Sequence, residues 1–279
     1  MLILNNKEEI KKNIDLLKKE KKSVGFVPTM GALHEGHISL LKRAKAENEI
    51  AVCSIYVNPL QFNNKEDFNK YPRLLNNDTK LLEDTGCDIV FVPDDSIIKN
   101  SSAFSYDLGY LDEIMEGFFR PNHFSGVVYI VKTLFEIVNP DRAYFGQKDY
   151  QQLAVIKKMT RDFNFNIEIV SCPTTREKDG LALSSRNARL LTPERLVASK
   201  IYKGLNFIKN NIHNKSINEL KLWYVKYIEN EPLMKVEYVE ICDGESLKSI
   251  SDISESNAIV VCTAIFIGNI RLIDNLKIF

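Results

Sequence analysis

The chain has 279 residues and carries 37 basic and 37 acidic side chains, so its formal net charge at neutral pH is zero. This length exceeds the ~100–200 residues of one domain and predicts two domains. The balanced charge argues against nucleic acid as a partner, because binding to a phosphate backbone requires a surplus of basic side chains.

The cysteines and the apolar runs indicate the cellular compartment. The five cysteines are scattered through the sequence, and no two of them have the spacing of a metal-binding pair. No stretch of ~18 apolar residues is present, and the first residues lack the apolar core of a signal peptide. We therefore expect a cytoplasmic protein with reduced thiols and no membrane contact.

Short apolar runs alternate with helical patterns up to residue 173. Asn6 predicts the N-cap of a first helix that extends to about Lys21. Strands are predicted, in chain order, at VGFVP, EIAVCSIYV, DIVFVP, RAYFG and IEIVSCP, with an irregular stretch after DIVFVP up to about Phe124. Strands separated by helices predict an α/β fold, in which a parallel sheet has helices on both faces.

The pattern changes after Pro173. The segment TTREKDGLALSSRNARLL has no strand period, and Thr192 predicts an N-cap with Pro193 at the first helical position. Two helices up to about Glu229 precede strands at VEYVEICD, AIVVCTAIFI and RLID. This order predicts a smaller α+β domain, with the domain boundary near residues 172–178.

The most informative motif is VPTMGALHEGH, residues 27–37, which overlaps the end of the first predicted strand. We expect a tight turn and then a helix that begins near His37. A helix N-terminus is a natural phosphate site, and His34 and His37 can share one helical face. Gly31 and Gly36 would let a nucleotide approach the backbone closely. A strand-to-helix turn with two polar histidines is an equally good interpretation of this motif alone.

Polar groups also follow two other predicted strands. Asn58 precedes a proline and is expected to be extended, and Gln61 offers an amide donor and a carbonyl acceptor to a hydroxylated ligand. Taken alone, their loop is more simply interpreted as solvated surface. Gly146 permits close approach, Lys148 offers a charge to phosphate, and Asp149 fits an N-cap or a ribose-binding acid. These groups and the two histidines all follow the ends of predicted strands. Because ligands bind outside the carboxyl ends of parallel strands, this common position favours a functional site.

Three further groups are weaker candidates. Gln152 lies four residues after Lys148, which would place both on one helix face. Residues 184–186, Ser-Ser-Arg, suit a lid over the β- and γ-phosphates, although a serine-rich linker is equally compatible. Arg120 could clamp a carboxylate, and His123 fits a ligand contact or a capping or core histidine. No Walker loop, no Gly-x-Gly-x-x-Gly after the first strand and no hydrolase nucleophile elbow is present.

Seven blocks, in this order, resemble the pantothenate synthetase (pantoate–β-alanine ligase) family: PTMGALHEGH, VNPLQF, YPRLL, RPNHFSGV, DRAYFGQKDYQQLAVI, DGLALSSRN and RLIDN. The resemblance extends from about Val24 to Asn275. It implies a Rossmann-like domain, residues 1–173, that binds nucleotide and pantoate, a C-terminal lid domain, residues 174–279, and a homodimer. It implies ATP-dependent condensation of (R)-pantoate with β-alanine to pantothenate, AMP and pyrophosphate through pantoyl adenylate.

The resemblance also implies residue roles and cofactors. ATP would be a substrate that arrives with Mg²⁺, without a metal site on the protein or a tightly bound organic cofactor. Contacts to ATP would come from Met30, Gly31, Ala32, Leu33, His34, Glu35, Gly36, His37, Gly146, Gln147, Lys148, Asp149, Thr175, Leu183, Ser184, Ser185 and Arg186. Gln61 and Gln152 would bind pantoate, Gln61 would also touch β-alanine, and Asn58, Arg120 and His123 would line the same pocket.

The catalytic residues implied by the resemblance are His34, His37 and Lys148. The family assigns proton donation to the second histidine, His37, but we expect hydrogen-bond donation to matter more than net proton transfer, because positioning and electrostatics dominate phosphoryl transfer. Two positions depart from the family: Asn122, where glycine is frequent, and Gln147, where glutamate is frequent. Two alternatives remain open, an adenylyltransferase of the same superfamily with a phosphate acceptor and a catalytically silent nucleotide-binding regulator.

Overall fold

The computed structural model describes residues 1–99 and 104–279, and it divides the chain into two compact units. The first unit comprises Met1–Gly146 and Val155–Cys172, and the second comprises Gln147–Ala154 and Pro173–Phe279. Part of the irregular stretch predicted before Phe124, residues 100–103, lies outside the described residues. The division into a nucleotide- and pantoate-binding domain and a lid domain stays a prediction.

Helices and strands occur in both units. The α-helices of the described residues are α1 (Lys7–Lys19), α2 (Glu35–Glu47), α3 (Lys65–Lys70), α4 (Leu75–Asp84), α5 (Met115–Phe119), α6 (His123–Val138), α7 (Tyr150–Asp162), α8 (Thr192–Ala198), α9 (Lys200–Asn211) and α10 (Ile217–Glu229). The strands are β1 (Leu2–Leu4), β2 (Val24–Thr29), β3 (Ile50–Ile55), β4 (Ile89–Phe91), β5 (Arg142–Gly146), β6 (Glu168–Cys172), β7 (Met234–Asp243), β8 (Ile259–Ile267) and β9 (Ile270–Lys277).

The first unit contains a six-stranded parallel sheet with the strand order β1-β4-β3-β2-β5-β6. From β2 the chain proceeds outward through β3 and β4 to one side, and it then returns to β5 on the other side of β2. This reversal makes the carboxyl ends of β2 and β5 the topological switch point, where ligands bind in open α/β sheets. The predicted α/β fold is confirmed, and the sheet has one edge strand, β1, that the sequence did not reveal.

Helices cover both faces of this sheet. On one face α2 packs against β2, β3 and β5, and the shared core includes Val27, Leu41, Cys53, Val90 and Tyr144. On the other face Phe26 of β2 meets Phe135 of α6, with ring centroids 6.4 Å apart, and α6 packs beside α1. Alternate residues of each strand therefore supply the two cores, as the pleat requires.

The first helix shows how sequence signals set its limits. The Asn6 side chain accepts hydrogen bonds from the Glu8 N–H at 2.8 Å and the Glu9 N–H at 3.2 Å, so the predicted N-cap is confirmed. Ile10 and Ile14, one turn apart, are the buried residues of α1. The helix ends before Lys21, whose φ of +61° lies in the left-handed region.

The second unit contains an antiparallel sheet with the order β7-β8-β9, against which α9 and α10 pack. This arrangement confirms the predicted smaller α+β fold, but the prediction of two helices up to about Glu229 is wrong, because the three helices α8, α9 and α10 occupy that stretch. The predicted N-cap at Thr192 is wrong, because Thr192 is the first residue of α8 and Leu191 is its N-cap. The Glu194 carboxylate satisfies that helix start by accepting from the Leu191 N–H at 2.8 Å. Within the described ranges, no helix is long and apolar enough to cross a membrane.

Candidate active site

The loop between β2 and α2, residues 30–34, carries the first histidine of the motif, and we call it the histidine loop. His34 is the N-cap of α2, and its Nδ1 accepts from the Gly36 N–H at 3.1 Å. His37 is the third residue of α2, and its Nδ1 accepts from the His34 N–H at 3.3 Å. The two side chains form a reciprocal capping box. The expected helix start near His37 is wrong by two residues, because His34 itself caps the helix and Glu35 begins it.

This capping determines which ring nitrogen of each histidine carries the proton. A nitrogen that accepts an N–H bond has no hydrogen of its own, so each neutral ring carries its proton on Nε2. The two ring centroids are 4.1 Å apart, with the planes inclined by 39°. Two Nε2–H donors therefore lie close together at the N-terminus of α2, where the helix dipole also favours an anion.

Asp78 of α4 holds the backbone of the histidine loop. Its side chain is 2% exposed, and its two oxygens accept from the Ala32 N–H at 2.9 Å and the Leu33 N–H at 2.8 Å. Gly31 and Ala32 have positive φ angles, +78° and +50°. A Cβ at Gly31 would lie 2.9 Å from Asp78 Oδ2, so this turn requires glycine. Asp78 thus satisfies two amides that the left-handed turn removes from water.

Asn58 and Gln61 are buried and lie at the 3-10 turn Pro59–Gln61, which follows β3. The Asn58 Nδ2 donates to the Gln61 Oε1 at 3.1 Å and to the Gly126 carbonyl at 3.0 Å. The Gln61 Nε2 in turn lies 2.9 Å from the Met30 sulfur. Asn58 is extended, as expected, but only 1% exposed, so the interpretation as solvated surface is wrong. Asn58 fixes the orientation of the Gln61 amide.

The N-terminus of α6 packs against the same turn. A Cβ at Gly126 would overlap the Leu60 carbonyl group, so glycine is needed for this close approach. His123 is 5% exposed and donates from Nδ1 to the Gln61 carbonyl at 2.8 Å. Asn122 adopts a left-handed conformation with φ +65°, which asparagine tolerates better than other side chains. Asparagine at this position is therefore compatible with the turn, and His123 contacts the main chain of Gln61.

Arg120 lies at the edge of this cluster. Its guanidinium is 3.4 Å from the Glu116 carboxylate and donates to the Gln61 carbonyl at 3.4 Å. The Glu116 side chain is only 7% exposed, and its carboxylate offsets part of the Arg120 charge because the two groups form an ion pair. The first unit thus brings together Met30, Asn58, Gln61, Arg120 and His123, beside the turn that leads to His34.

Lys148 belongs to the second unit, in the 3-10 turn Gln147–Asp149 that precedes α7. Its ammonium is 3.4 Å from the Asp149 carboxylate, and its side chain is 19% exposed. Gln152 lies in the first turn of α7, whereas Lys148 lies outside that helix. The 3-10 turn runs directly into α7, and the expected placement of both side chains on one helix face stays a prediction. Gly146, which ends β5 opposite Cys172, belongs to the first unit, and a Cβ there would meet nothing within 4 Å.

The polar segment after Pro173 folds back on itself within the second unit. The Leu183 N–H donates to the Thr175 carbonyl at 3.0 Å, next to a bridge between Arg176 and Ala182. The Ser184 side chain accepts from the Arg186 N–H at 3.2 Å and caps the 3-10 turn Ser185–Arg189. The residues of this segment that are predicted to contact phosphate therefore lie on or beside a hydrogen-bonded turn.

A buried ion pair holds the start of this segment. The Arg176 guanidinium donates to both oxygens of Asp274, at 2.6 and 2.9 Å, and stacks over the Tyr202 ring at 4.0 Å. Burial raises the pKa of the Asp274 carboxyl, while Arg176 and Lys148 oppose that shift. The geometry is the bidentate arrangement that makes arginine–carboxylate pairs rigid.

The cysteines form no disulfide bond. All five are free and buried, and burial raises the pKa of Cys53 well above its usual value and that of Cys87 to about 12. The thiols of Cys53 and Cys87 are therefore protonated at neutral pH. In residues 1–99 and 104–279, no group of three or more His, Cys, Asp or Glu side chains is arranged to hold a metal ion.

The structure gives roles to two residues for which the sequence suggested none, Asp78 and Asn275. Asp78 lies one turn before the buried Leu82 of α4, so a charge on the apolar face was the available signal. Asn275 of β9 donates from Nδ2 to the carbonyls of Gln147 and Lys148, at 2.8 and 2.7 Å. Nothing in the sequence near Asn275 indicates that contact.

Comparisons with known proteins identify the family of this chain. The family described as pantoate-beta-alanine ligase matches residues 2–277. Pantothenate synthetase from Cytophaga hutchinsonii is 46% identical, over 100% of this chain and 99% of its own. The structure of pantothenate synthetase from Thermus thermophilus is 38% identical with a TM-score of 0.91, and each chain is fully covered. Pantoate-beta-alanine ligase from Francisella tularensis, complexed with beta-gamma ATP and beta-alanine, is 36% identical with a TM-score of 0.82, over 100% of this chain and 98% of that one. The chain therefore belongs to the pantoate–β-alanine ligase family.

Proposed function

We propose that this ligase forms pantothenate in two steps. In the first, a carboxylate oxygen of (R)-pantoate attacks the α-phosphorus of ATP, which gives pantoyl adenylate and pyrophosphate. In the second, the amine of β-alanine attacks the acyl carbon, so that the amide bond forms, AMP leaves and the amine loses a proton. Mg²⁺ enters with the ATP phosphates, in keeping with its usual binding to phosphate oxygens.

The observation that carries this proposal is the reciprocal capping of His34 and His37. Two Nε2–H donors at a helix N-terminus suit the equatorial oxygens of a five-coordinate phosphorus, where negative charge increases in the transition state. Both rings keep this tautomer as long as their Nδ1 atoms accept backbone N–H bonds. Stabilisation by donated hydrogen bonds therefore needs no net proton transfer.

The other predicted residues receive matching roles. Lys148 adds positive charge at the same phosphorus, and Thr175, Ser184, Ser185 and Arg186 contact the triphosphate. Gln61 and Gln152 bind the hydroxyl groups of pantoate, and Asn58 orients the Gln61 amide. We also propose a homodimer, and a cytoplasmic location that fits five buried thiols without a disulfide.

Substitutions of His37 test this assignment. His37→Gln retains an acceptor at the third helical position, as in an ordinary capping box, but lacks the Nε2–H donor. We expect stability near that of the parent protein and a kcat for pantoate-dependent pyrophosphate release lower by about 10²–10³-fold, the cost of losing one transition-state donor. His37→Ala should lose both capping and kcat. A His37→Gln protein with the parent kcat would contradict the role of His37, and turnover of a phosphorylated acceptor without pantoate would contradict the reaction.

A further inference from the structure

The turn that carries Lys148 is held by one side chain from the other end of the chain. Asn275 lies on β9 and is 5% exposed. Its amide nitrogen donates two hydrogen bonds to successive carbonyls, those of Gln147 at 2.8 Å and Lys148 at 2.7 Å. Both amide hydrogens are therefore used on the peptide units that flank the Lys148 Cα.

The surroundings of Asn275 make it a rigid support. Its neighbour Asp274 is 3% exposed, is locked by Arg176, and accepts from the Asn275 N–H at 2.8 Å. The Asn275 carbonyl also accepts from Arg176, at 3.0 Å. In the sheet, Asn275 lies opposite Cys262 of the central strand β8. The backbone from which this side chain starts is thus held by the sheet and by Arg176.

The two hydrogen bonds from Asn275 support a turn that has little stability of its own. A 3-10 turn of three residues has poor hydrogen-bond geometry and little intrinsic stability. The ammonium of Lys148 pairs with the Asp149 carboxylate at the long distance of 3.4 Å. The two bonds from Asn275 are therefore the short contacts that fix where the Lys148 side chain begins.

We propose that Asn275 is a positioning residue for Lys148 in the adenylation step. It does not touch a reacting atom; it holds the two peptide groups on which the placement of the Lys148 ammonium depends. This inference rests on the proposed role of Lys148 at the α-phosphorus. It also assigns a task to Asn275 of the RLIDN block, the last of the sequence blocks.

A double-mutant cycle tests the inference. Asn275→Ala, Lys148→Ala and the double variant are compared with the parent protein by the rate of pantoate-dependent pyrophosphate release. We expect Asn275→Ala to lower kcat by about 10-fold to 10²-fold, the cost of misplacing a catalytic group by about 1 Å, with the KM for pantoate unchanged. In the Lys148→Ala background, the same change should lower kcat by less than about 2-fold, because the group that Asn275 positions is already absent.

Controls separate positioning from loss of folding. Asn48→Ala removes another buried asparagine that donates two hydrogen bonds, to the Ala44 carbonyl and the Tyr144 hydroxyl, at the far end of α2 from His34. It should lower thermal stability and leave kcat within about 2-fold. If Asn275→Ala does not fold, Asn275→Ser, which keeps one hydroxyl donor, replaces it in the cycle.

The outcomes distinguish the positioning role of Asn275 from the proposed role of Lys148. If Lys148→Ala lowers kcat but the Asn275 effect is absent, or is equally large without Lys148, the positioning role is overturned and the proposed function is not. If Lys148→Ala leaves kcat unchanged, the proposed role of Lys148 fails, and the inference about Asn275 fails with it.

Discussion

Replacing Asp78 by asparagine keeps the shape of the side chain and removes one of the two acceptors that hold the histidine loop. In the parent protein, Oδ2 accepts from the Ala32 N–H and Oδ1 from the Leu33 N–H. Asparagine can satisfy one of these amides, and its NH₂ group must then face the other donor. The left-handed turn at residues 31 and 32 therefore loses one of the two hydrogen bonds that Asp78 accepts from the histidine loop.

The expected magnitude follows from these contacts. A hydrogen bond to a charged group contributes about 1.5–3 kcal/mol, and the unpaired amide is buried, so we expect Asp78→Asn to lower the free energy of unfolding by about that amount. For a unit of this size, each kcal/mol corresponds to about 2–4 °C in Tm. A shift of His34 by about 1 Å would lower kcat for adenylation by about 10²-fold.

Asp141→Asn is the matched control. The Asp141 carboxylate accepts from the Val24 N–H at 2.7 Å and thus holds the start of β2, whereas Asp78 holds the loop after its end. Thermal unfolding and pyrophosphate release are measured for both variants. We expect both to lose stability and only Asp78→Asn to lose kcat. Equal kcat values in the two variants would refute the argument that Asp78 places the histidines.

Three further predictions concern packing, thiols and pH. Gly126→Ala would place a methyl group against the Leu60 carbonyl. We expect denaturant unfolding to show a free energy of unfolding lower by about 1–3 kcal/mol, and kinetics to show a higher KM for pantoate. Unchanged values would show that α6 can move away from this carbonyl. All five thiols are buried, and burial raises the pKa of Cys87 to about 12. A disulfide reagent at pH 8 should therefore label no cysteine of the native protein and all five after unfolding. Rapid labelling of the native protein would contradict the burial of the thiols. Hydrogen bonds from Ser256 and Ser246 lower the pKa of Asp243 to about 2, so Asp243→Asn should lower the free energy of unfolding at pH 7 by about 1 kcal/mol, a value discounted for exposure. The difference in unfolding free energy between parent and variant should shrink as the pH falls from about 4 towards 2. A difference that grows on acidification would contradict the assignment.

The sequence was sufficient for strands β2 to β6 of the first unit and for helix α1, because their signals are local. Alternating apolar runs and the N-cap at Asn6 predict elements that the structure contains. Strand β1 escaped notice because three apolar residues at a chain start, Leu2–Leu4, show no period and acquire a partner only from β4. The start of α2 was misjudged because a histidine is an unusual N-cap.

Part of the site depends on contacts that no local pattern encodes. The bond from Ala32 to Asp78 joins residues 46 positions apart, and the bonds from Asn275 reach back 127 and 128 positions. These side chains act on backbone groups, which carry no sequence signature. The histidine pair and Gln61 were predictable as chemistry, whereas Asp78 and Asn275 emerge only when the fold places them against the loops that they hold.

The central claim, adenylation of pantoate before amide formation, is tested most directly with pantoate labelled with oxygen-18 in its carboxylate. The protein is incubated with MgATP and labelled pantoate without β-alanine, and the products are analysed by mass spectrometry before and after β-alanine is added. We predict pyrophosphate and labelled pantoyl adenylate first, and then AMP that retains one oxygen-18 atom from pantoate. Formation of ADP and phosphate, or AMP without the label, would contradict attack of the carboxylate on the α-phosphorus.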